Sequence, residues 1–121
     1  MAEIKLTPEA QQILVEMQTL QQQLQAVLIQ KESLNLQDIE MDKALDEMKK
    51  SKEKEVFKAV GPVLIKAAKE EVEKEFAEKK ELIGVRLKSL KKQEDRLKDK
   101  MKESQEKFEG IFKGQEEEPA A

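Results

Sequence analysis

The sequence predicts a mainly α-helical protein in which two long helices form an antiparallel coiled coil and a short β-hairpin reverses the chain. Two observations carry this prediction. Charged residues make up 40% of the 121 residues and aromatic residues only 3%, a composition typical of long helices rather than of a compact globule. Apolar residues also recur at intervals of seven on both sides of a β-branched stretch, VFKAVGPVLIKA, at residues 56–67.

The first helix is predicted over residues 8–50. Thr7 is a suitable N-cap, and Pro8 fits the first helical position, where its missing N–H costs nothing. Two interleaved apolar series follow at heptad spacing, interrupted in the middle by Lys31 and Asp38. The apolar members are Ile13, Met17, Leu20, Leu24, Val27, Leu34, Met41, Leu45 and Met48.

The second helix is predicted over residues 69–109, with residues 110–121 as a flexible tail. Gly110 and Gly114 favour an end to this helix near Phe108. The apolar stripe of this helix, which forms the seam with the first helix, is interrupted by the polar residues Glu94 and Ser104. The series at heptad spacing are Ile83, Leu90, Leu97, Ser104 and Ile111, and Phe76, Lys80, Leu87, Glu94, Met101 and Phe108.

The reversal of the chain is expected at Pro62. If the two apolar series face each other antiparallel, Met48 meets Phe76 and Ile13 meets Ile111, and the midpoint of each pair is residue 62. Residues 55–68 therefore predict a β-hairpin with Gly61 and Pro62 in a two-residue type II′ turn. In this register Val60 lies opposite Val63. The whole chain, 1–121, is interpreted as one domain.

The predicted hairpin has apolar residues on both faces and two open edges. Such a hairpin is marginal alone in water, and open edges pair readily with other chains. The alternative is a turn that packs back on its own helices, although a coiled-coil reversal needs only roughly 2–5 residues. Assembly through the strands is therefore predicted. The candidate assembly residues are Val56, Phe57, Val60, Val63, Leu64 and Ile65.

The composition also bears on chemistry and location. Without Cys or His, the chain lacks the usual nucleophile, base and metal ligands, so no enzyme activity, metal or cofactor is expected. It has no apolar run of about 18 residues, and its N-terminus is unlike a signal peptide, so a cytoplasmic protein without a membrane partner is expected. The basic run at 88–102 is interrupted by acidic residues and lacks aromatic residues, which disfavours nucleic acid as a partner.

Four segments are more specific than heptad spacing alone. They are QQQLQAVLIQK (21–31), KALDEM (43–48), VFKAVGPVLIKAAKEEV (56–72) and KKELIGVRLKSLKKQEDRLKDKMKE (79–103). In this order they resemble the β-type subunits of archaeal prefoldins. The resemblance runs from about Pro8 to Phe112. Its more specific features are the hairpin and the spacing of Arg86, Leu90, Gln93 and Glu94. Pro62 departs from the family pattern, in which a residue with a backbone N–H is commoner at this position.

The resemblance implies an ATP-independent chaperone. In prefoldins, two α-type and four β-type subunits form a heterohexamer whose hairpins join into intersubunit β-barrels. The coiled coils extend from this platform, and their tips bind non-native polypeptides and pass them to a group II chaperonin. The expected partners are therefore an α-type subunit, further copies of this chain, non-native polypeptides and the chaperonin.

Client-binding residues are expected near both chain termini. Mobile apolar and Met side chains adapt to many unfolded chains. Three of them, Ile13, Met17 and Phe108, sit in the heptad series, so they either contact clients or only complete the seam. The candidates are Ile4, Leu6, Ile13, Leu14, Met17, Phe108, Ile111 and Phe112.

The acidic C-terminus is a separate candidate. Glu116, Glu117 and Glu118 either contact a basic surface of the chaperonin or form a solubilising tail. The alternative to a chaperone subunit is a non-chaperone coiled coil with a structural or tethering role. We expect such a tether to have helices that end at another domain, and both predicted helices end in short tails.

Overall fold

The structure is a computed structural model that describes the backbone of residues 6–117 and the side chains of residues 6–114. Four elements follow in order: α1 (Pro8–Lys50), β1 (Glu55–Val60), β2 (Val63–Ala68) and α2 (Lys69–Glu117). Two long helices thus flank a two-stranded antiparallel sheet, as the sequence predicts. A short link, residues 51–54, joins α1 to β1, whereas β2 leads directly into α2.

The start of α1 is capped by Thr7. The Ala10 backbone N–H donates a hydrogen bond to Thr7 Oγ1 at 3.0 Å, and the Gln11 N–H donates to the Thr7 carbonyl at 2.9 Å. The first bond satisfies a donor that the first turn of a helix leaves without an intrahelical partner, and the second is the first i→i−4 bond of the helix. Ala10 is only 1% exposed. The predicted N-cap is therefore present, and it lies next to buried surface.

The end of α2 differs from the prediction. The helix continues through Gly110 and Gly114 to Glu117, instead of ending near Phe108. A glycine inside a helix costs only about 1 kcal/mol relative to alanine, so two isolated glycines need not end it. The Phe108 and Phe112 rings also pack edge to face one turn apart, with centroids 4.5 Å from each other, across Gly110. Such spacing stabilises continuous helix.

The chain divides into two compact units. The hairpin unit is Gln30–Leu90, and the terminal unit combines the residues up to Ile29 with those from Lys91 onward. In each unit a segment of α1 lies beside an antiparallel segment of α2. In the terminal unit, for example, Gln12 and Lys107 line one groove, and Val27 and Gln93 line another.

The seam of the hairpin unit follows the predicted register. Met48 and Phe76, the predicted partners nearest the hairpin, line the same groove. Leu90 is completely buried, and no heptad position of this unit is fully exposed. The buried apolar residues of the unit are Met48, Val72, Ile83 and Leu90.

The seam of the terminal unit is less apolar. Ile13 and Val27 of α1 are buried, and so are Glu94 and Ser104 of α2, the two predicted polar breaks. The Glu94 carboxylate lies 3.5 Å from Lys91 Nζ and 3.7 Å from Lys98 Nζ, one turn to either side on the same helix. The buried carboxylate thus has compensating charges nearby.

The hairpin has the predicted register. Val60 pairs with Val63, and the ladder continues to Glu55 and Ala68. Gly61 has a φ of +57°, while no other described residue has a positive φ. A positive φ at the first turn position followed by a negative φ at the second is the pattern of a type II′ turn. Pro62 fits the second position because its ring fixes a negative φ.

Candidate assembly and binding surfaces

The two faces of the hairpin differ in exposure. On one face Val56, Lys58 and Ala67 are half-buried. On the other face Phe57 is 71% exposed and Leu64 is 69% exposed. Val60, Val63 and Ile65, nearer the turn, are also exposed. All six predicted assembly residues therefore lie on one two-stranded sheet, and five of them are open to a partner.

An ion pair joins the hairpin to α2. Lys58 Nζ of β1 lies 2.8 Å and 2.6 Å from the two carboxylate oxygens of Glu75, and both side chains are about one-third exposed. Lys79, one turn further along α2, approaches the same carboxylate at 3.4 Å. The hydrogen bond from Lys58 is the largest cause that lowers the pKa of Glu75. The ion pair between Lys58 and Glu75 therefore holds β1 against α2.

A second contact closes the base of the hairpin. Lys69 Nζ donates a hydrogen bond to the Ser51 carbonyl at 2.6 Å, and the Lys69 backbone N–H donates to the Lys54 carbonyl at 2.9 Å. The Ser51 carbonyl lies just past the C-terminus of α1, where a cation is favourable. The first residue of α2 thus holds the link that follows α1.

An open groove of about 570 Å³ runs beside β1 in the hairpin unit. Four consecutive residues of β1, Val56–Ala59, line it, and no residue of β2 does. The two helices supply an apolar floor and a largely charged rim. The floor consists of Met41, Ala44, Met48, Val72 and Phe76, and the rim of Gln37, Glu40, Glu47 and Lys79.

Among residues 6–114, the predicted client-binding residues lie in the terminal unit with unequal exposure. Leu6 is 45% exposed, whereas Ile13 is buried. The others are half-buried, and they are Leu14, Met17, Phe108, Ile111 and Phe112. Ile111 and Phe112, which the sequence places in a flexible tail, belong to α2 and are half-buried. Ile4 lies outside the described residues.

The comparisons with known proteins cover almost the whole chain. The family model described as prefoldin subunit matches residues 11–115. This chain belongs to the prefoldin family. The prefoldin subunit beta of Archaeoglobus fulgidus is 39% identical over 112 residues, which are 92% of this chain and 97% of that protein. The corresponding subunit of Thermococcus onnurineus is 38% identical over 104 residues, 85% of this chain and 90% of the relative.

A solved prefoldin structure has the same fold. The crystal structure of the prefoldin beta subunit from Thermococcus strain KS-1 matches with a TM-score of 0.79 at 35% identity. The match covers 88% of this chain and 95% of that chain. Prefoldin subunits are chaperone subunits that assemble with other prefoldin subunits, and this chain is such a subunit.

Two of the four residues whose spacing supports the family resemblance, Arg86 and Leu90, lie in the hairpin unit of this prefoldin chain. Arg86 Nη2 donates a hydrogen bond to Gln30 Oε1 of α1 at 3.3 Å. Leu90 is the most deeply buried large side chain among residues 6–114. Arg86 therefore joins the two helices, and Leu90 occupies a core position between them.

A polar cluster crosses the seam of the same unit. Lys80 Nζ of α2 lies 3.7 Å from a carboxylate oxygen of Asp38 and forms a closer ion pair with Asp42, both on α1. The hydrogen bond with Asp42 is the largest cause that raises the pKa of Lys80. Lys80 and Asp38 both occupy heptad positions, so two polar residues of the predicted seam compensate each other's charge.

Sequence reasoning did not identify several apolar residues that the structure exposes as candidate contact residues. They lie one or two places from a heptad position and so point away from the seam. That offset is the signal by which they could have been found. In the terminal unit they are Val15, Leu28 and Ile29, and in the hairpin unit Leu36, Ile39, Leu82 and Val85.

The remaining candidates concern the acidic C-terminus, metals and membranes. Glu116 and Glu117 belong to the last turn of α2, and Glu118 lies outside the described residues. Among the described residues, no group of Asp and Glu side chains is arranged to hold a metal ion. Between residues 6 and 117, neither helix has the long apolar stretch that crossing a lipid bilayer requires.

Proposed function

We propose that this prefoldin subunit captures non-native polypeptides near the free ends of its two helices and passes them to a group II chaperonin without ATP. Its hairpin joins an α-type subunit and further copies of this chain, two α-type and four β-type subunits in all. The complex acts in the cytoplasm. The tips bind clients, and the hairpins assemble the complex.

The observation that carries the proposal is exposed apolar surface in both units. In the hairpin unit it lies on a two-stranded sheet, whose free edges suit pairing with other strands. In the terminal unit it comprises Leu6, which precedes α1, and Val15, which is 61% exposed. Half-buried Met17 and Phe112 add adaptable apolar area that suits many unfolded sequences.

The acidic C-terminus supports only a narrower proposal. Glu116, Glu117 and Glu118 form a run of three negative charges, which would attract a basic surface of the chaperonin and speed encounter more than strengthen the complex. Deleting residues 115–121 should then slow association with the chaperonin at low salt and leave client capture unchanged.

The proposal is tested by mixing this chain with an α-type subunit and diluting a denatured protein into the mixture. Light scattering should show that the complex suppresses aggregation at near-stoichiometric amounts and in the absence of ATP. The same mixture containing a chain with Val60→Lys is the control for assembly. If the wild-type complex gives no suppression at several-fold excess, client capture is excluded.

A further inference from the structure

The two grooves of the terminal unit are continuous with each other. One is an open cavity of about 620 Å³ and the other of about 370 Å³, and Gln23 of α1 and Lys100 of α2 line both. From Gln12 to Val27 this side groove follows α1 for about 22 Å, at a rise of about 1.5 Å per residue. An extended peptide of about seven residues covers that length.

The side groove has an apolar floor and an α1 lip with little charge. Leu20 and Leu97 are half-buried in the floor, and Val27 is buried there. Glu16 is the only charged residue that α1 contributes to the lining. Exposed side-chain amides on this lip can donate and accept hydrogen bonds, so they can pair with the free N–H and C=O groups of an extended main chain. These amides belong to Gln12 and Gln23.

The α2 lip carries cations that lack a carboxylate partner within the described chain. Arg96, Lys100 and Lys107 line the side groove and are exposed, and none of them forms an ion pair within residues 6–114. By contrast, Lys98 of the same helix, which does not line the groove, pairs with Glu94. The cations of the lip are therefore available to a negatively charged partner.

Positive charge is concentrated in the half of the side groove that includes Val27. Arg96 and Lys100 are the charged residues of its lining, and no carboxylate belongs to that lining. The lining of the other half has two acidic and two basic residues, so its charges balance. An acidic side chain that binds beside Val27 thus meets two cations that the carboxylates of this chain do not neutralise, and such complementarity favours acidic over basic partners.

We infer that the side groove receives extended, acidic segments of non-native polypeptides, in which aspartate or glutamate lies next to apolar residues. The apolar side chains cover the floor at Leu20, Val27 and Leu97, and the carboxylates bind Arg96 and Lys100 of the lip. This inference rests on the proposed capture of non-native polypeptides. It adds the class of segment that is captured and a binding site along the helices, beyond the residues at their ends.

The first test measures peptide binding by fluorescence anisotropy, with the complex of this chain and an α-type subunit. The probes are two short labelled peptides in which leucine alternates with aspartate or with lysine. The aspartate peptide should bind at least tenfold more tightly than the lysine peptide at low salt. The preference should vanish at about 1 M salt, where the Debye length is about 3 Å. Equal affinity for the two peptides at low salt would overturn the inference.

Charge reversal locates the binding site. Lys100→Glu should weaken binding of the aspartate peptide at least fivefold. Lys102→Glu is the matched control and should bind like wild type, because it makes the same charge change at an exposed position of α2 that lines neither half of the side groove. Circular dichroism verifies that both variants keep their helices. An equal loss in the two variants would mean that net charge rather than the groove selects the peptide, and the inference would be wrong.

Aggregation suppression by the same complexes separates this inference from client capture in general. If the wild-type complex suppresses aggregation of a denatured protein while Lys100→Glu binds the aspartate peptide like wild type, capture stands and the inference about the side groove is wrong. If the wild-type complex binds the aspartate peptide selectively but suppresses no aggregation, the proposed function fails and the side groove is still a site for acidic segments.

Cross-linking identifies the face of α1 that the peptide contacts. The chain has no cysteine, so a single cysteine can carry a benzophenone label attached before mixing with the α-type subunit. Gln23→Cys places the label on the lip, and Gln22→Cys places it at the neighbouring exposed position outside the lining. On irradiation, Gln23→Cys should link the aspartate peptide at least fivefold more than Gln22→Cys. A preference for Gln22→Cys would place the peptide on another face of α1 and contradict the inference.

Discussion

Lys58 of β1 and Glu75 of α2 are 17 residues apart in sequence, yet the ammonium of one contacts both carboxylate oxygens of the other. The pair lies on the half-buried face of the hairpin, where Val56 also approaches the helices. It ties the orientation of the sheet to α2. The surfaces that β1 offers to another subunit therefore depend on a titratable group.

Replacing Glu75 by Gln should lower the thermal unfolding midpoint at pH 7. Because Lys58 lowers the pKa of Glu75 below its usual 4.5, the native state favours the charged carboxylate. The stabilisation of the native state by this ion pair is present above pH 4.5 and is lost as the pH falls through the lower folded-state pKa of Glu75. The difference between wild type and Glu75→Gln should therefore shrink toward zero in acid.

Circular dichroism melts from pH 7 down to pH 3 check the pH dependence. Glu78→Gln, an exposed carboxylate on the same helix, should show no comparable change with pH. A difference between Glu75→Gln and wild type that stays constant over this range would mean that the ion pair does not stabilise the hairpin.

Val60→Lys and Ile65→Lys should each disrupt assembly with the α-type subunit. A lysine ammonium placed without a partner in a strand interface costs about 3 kcal/mol or more, which is roughly a hundredfold in dissociation constant. Light scattering coupled to size-exclusion chromatography measures the mass of the complex. Leu82→Lys, also at an exposed apolar position, should leave the mass unchanged. Unchanged mass in both hairpin variants would refute assembly through the strands.

Alanine should have opposite effects at Gly61 and Gly84. Neither position has a heavy atom within 4 Å of an added Cβ, so backbone conformation decides the outcome. Gly61 has a left-handed φ of +57°, which costs an alanine about 1–2 kcal/mol. Gly84 lies inside α2, where alanine is favoured by about 1 kcal/mol.

Urea denaturation of both glycine variants gives the comparison. The midpoint should fall for Gly61→Ala and rise for Gly84→Ala relative to wild type. A midpoint that rises for Gly61→Ala would show that the turn adopts another conformation in solution.

Removing residues 1–6 and 109–121 should preserve assembly and weaken client capture severalfold. The deletion keeps Thr7, because losing this cap alone destabilises α1 by about 1 kcal/mol. Aggregation suppression at equal concentration of complex measures capture. A shorter deletion, 115–121, is the control and should retain full suppression. Full capture by the longer deletion would instead locate client binding elsewhere in the chain or in the partner.

The register of the helices could be predicted from sequence because it depends on periodicity. Heptad counting pairs Met48 with Phe76, and the two residues line one groove in the structure. The same counting located the turn, since both series converge on residue 62. Gly61 and Pro62 restrict the backbone conformations that the turn can adopt, and the type II′ pattern follows from their residue types.

Other features depend on packing that periodicity does not encode. α2 extends beyond its predicted end because glycine propensity is weak and local, whereas the contact between Phe108 and Phe112 spans a helical turn. The groove beside β1 requires the hairpin to lie against α1 and α2, so Met41 and Ala44 could not be assigned to it from sequence. The ion pair of Lys58 with Glu75 arises from the same arrangement.

The direct junction between Ala68 and Lys69 sets the rotational phase of α2. Because no residue separates β2 from the helix, each residue inserted there would rotate the seam by about 100° and turn Ile83 and Leu90 away from α1. On the other side, residues 51–54 form neither helix nor strand, so their number does not set the rotation of a helix in the same way. Variation in length among related chains should therefore accumulate in the link after α1, and the junction at Lys69 should keep its length.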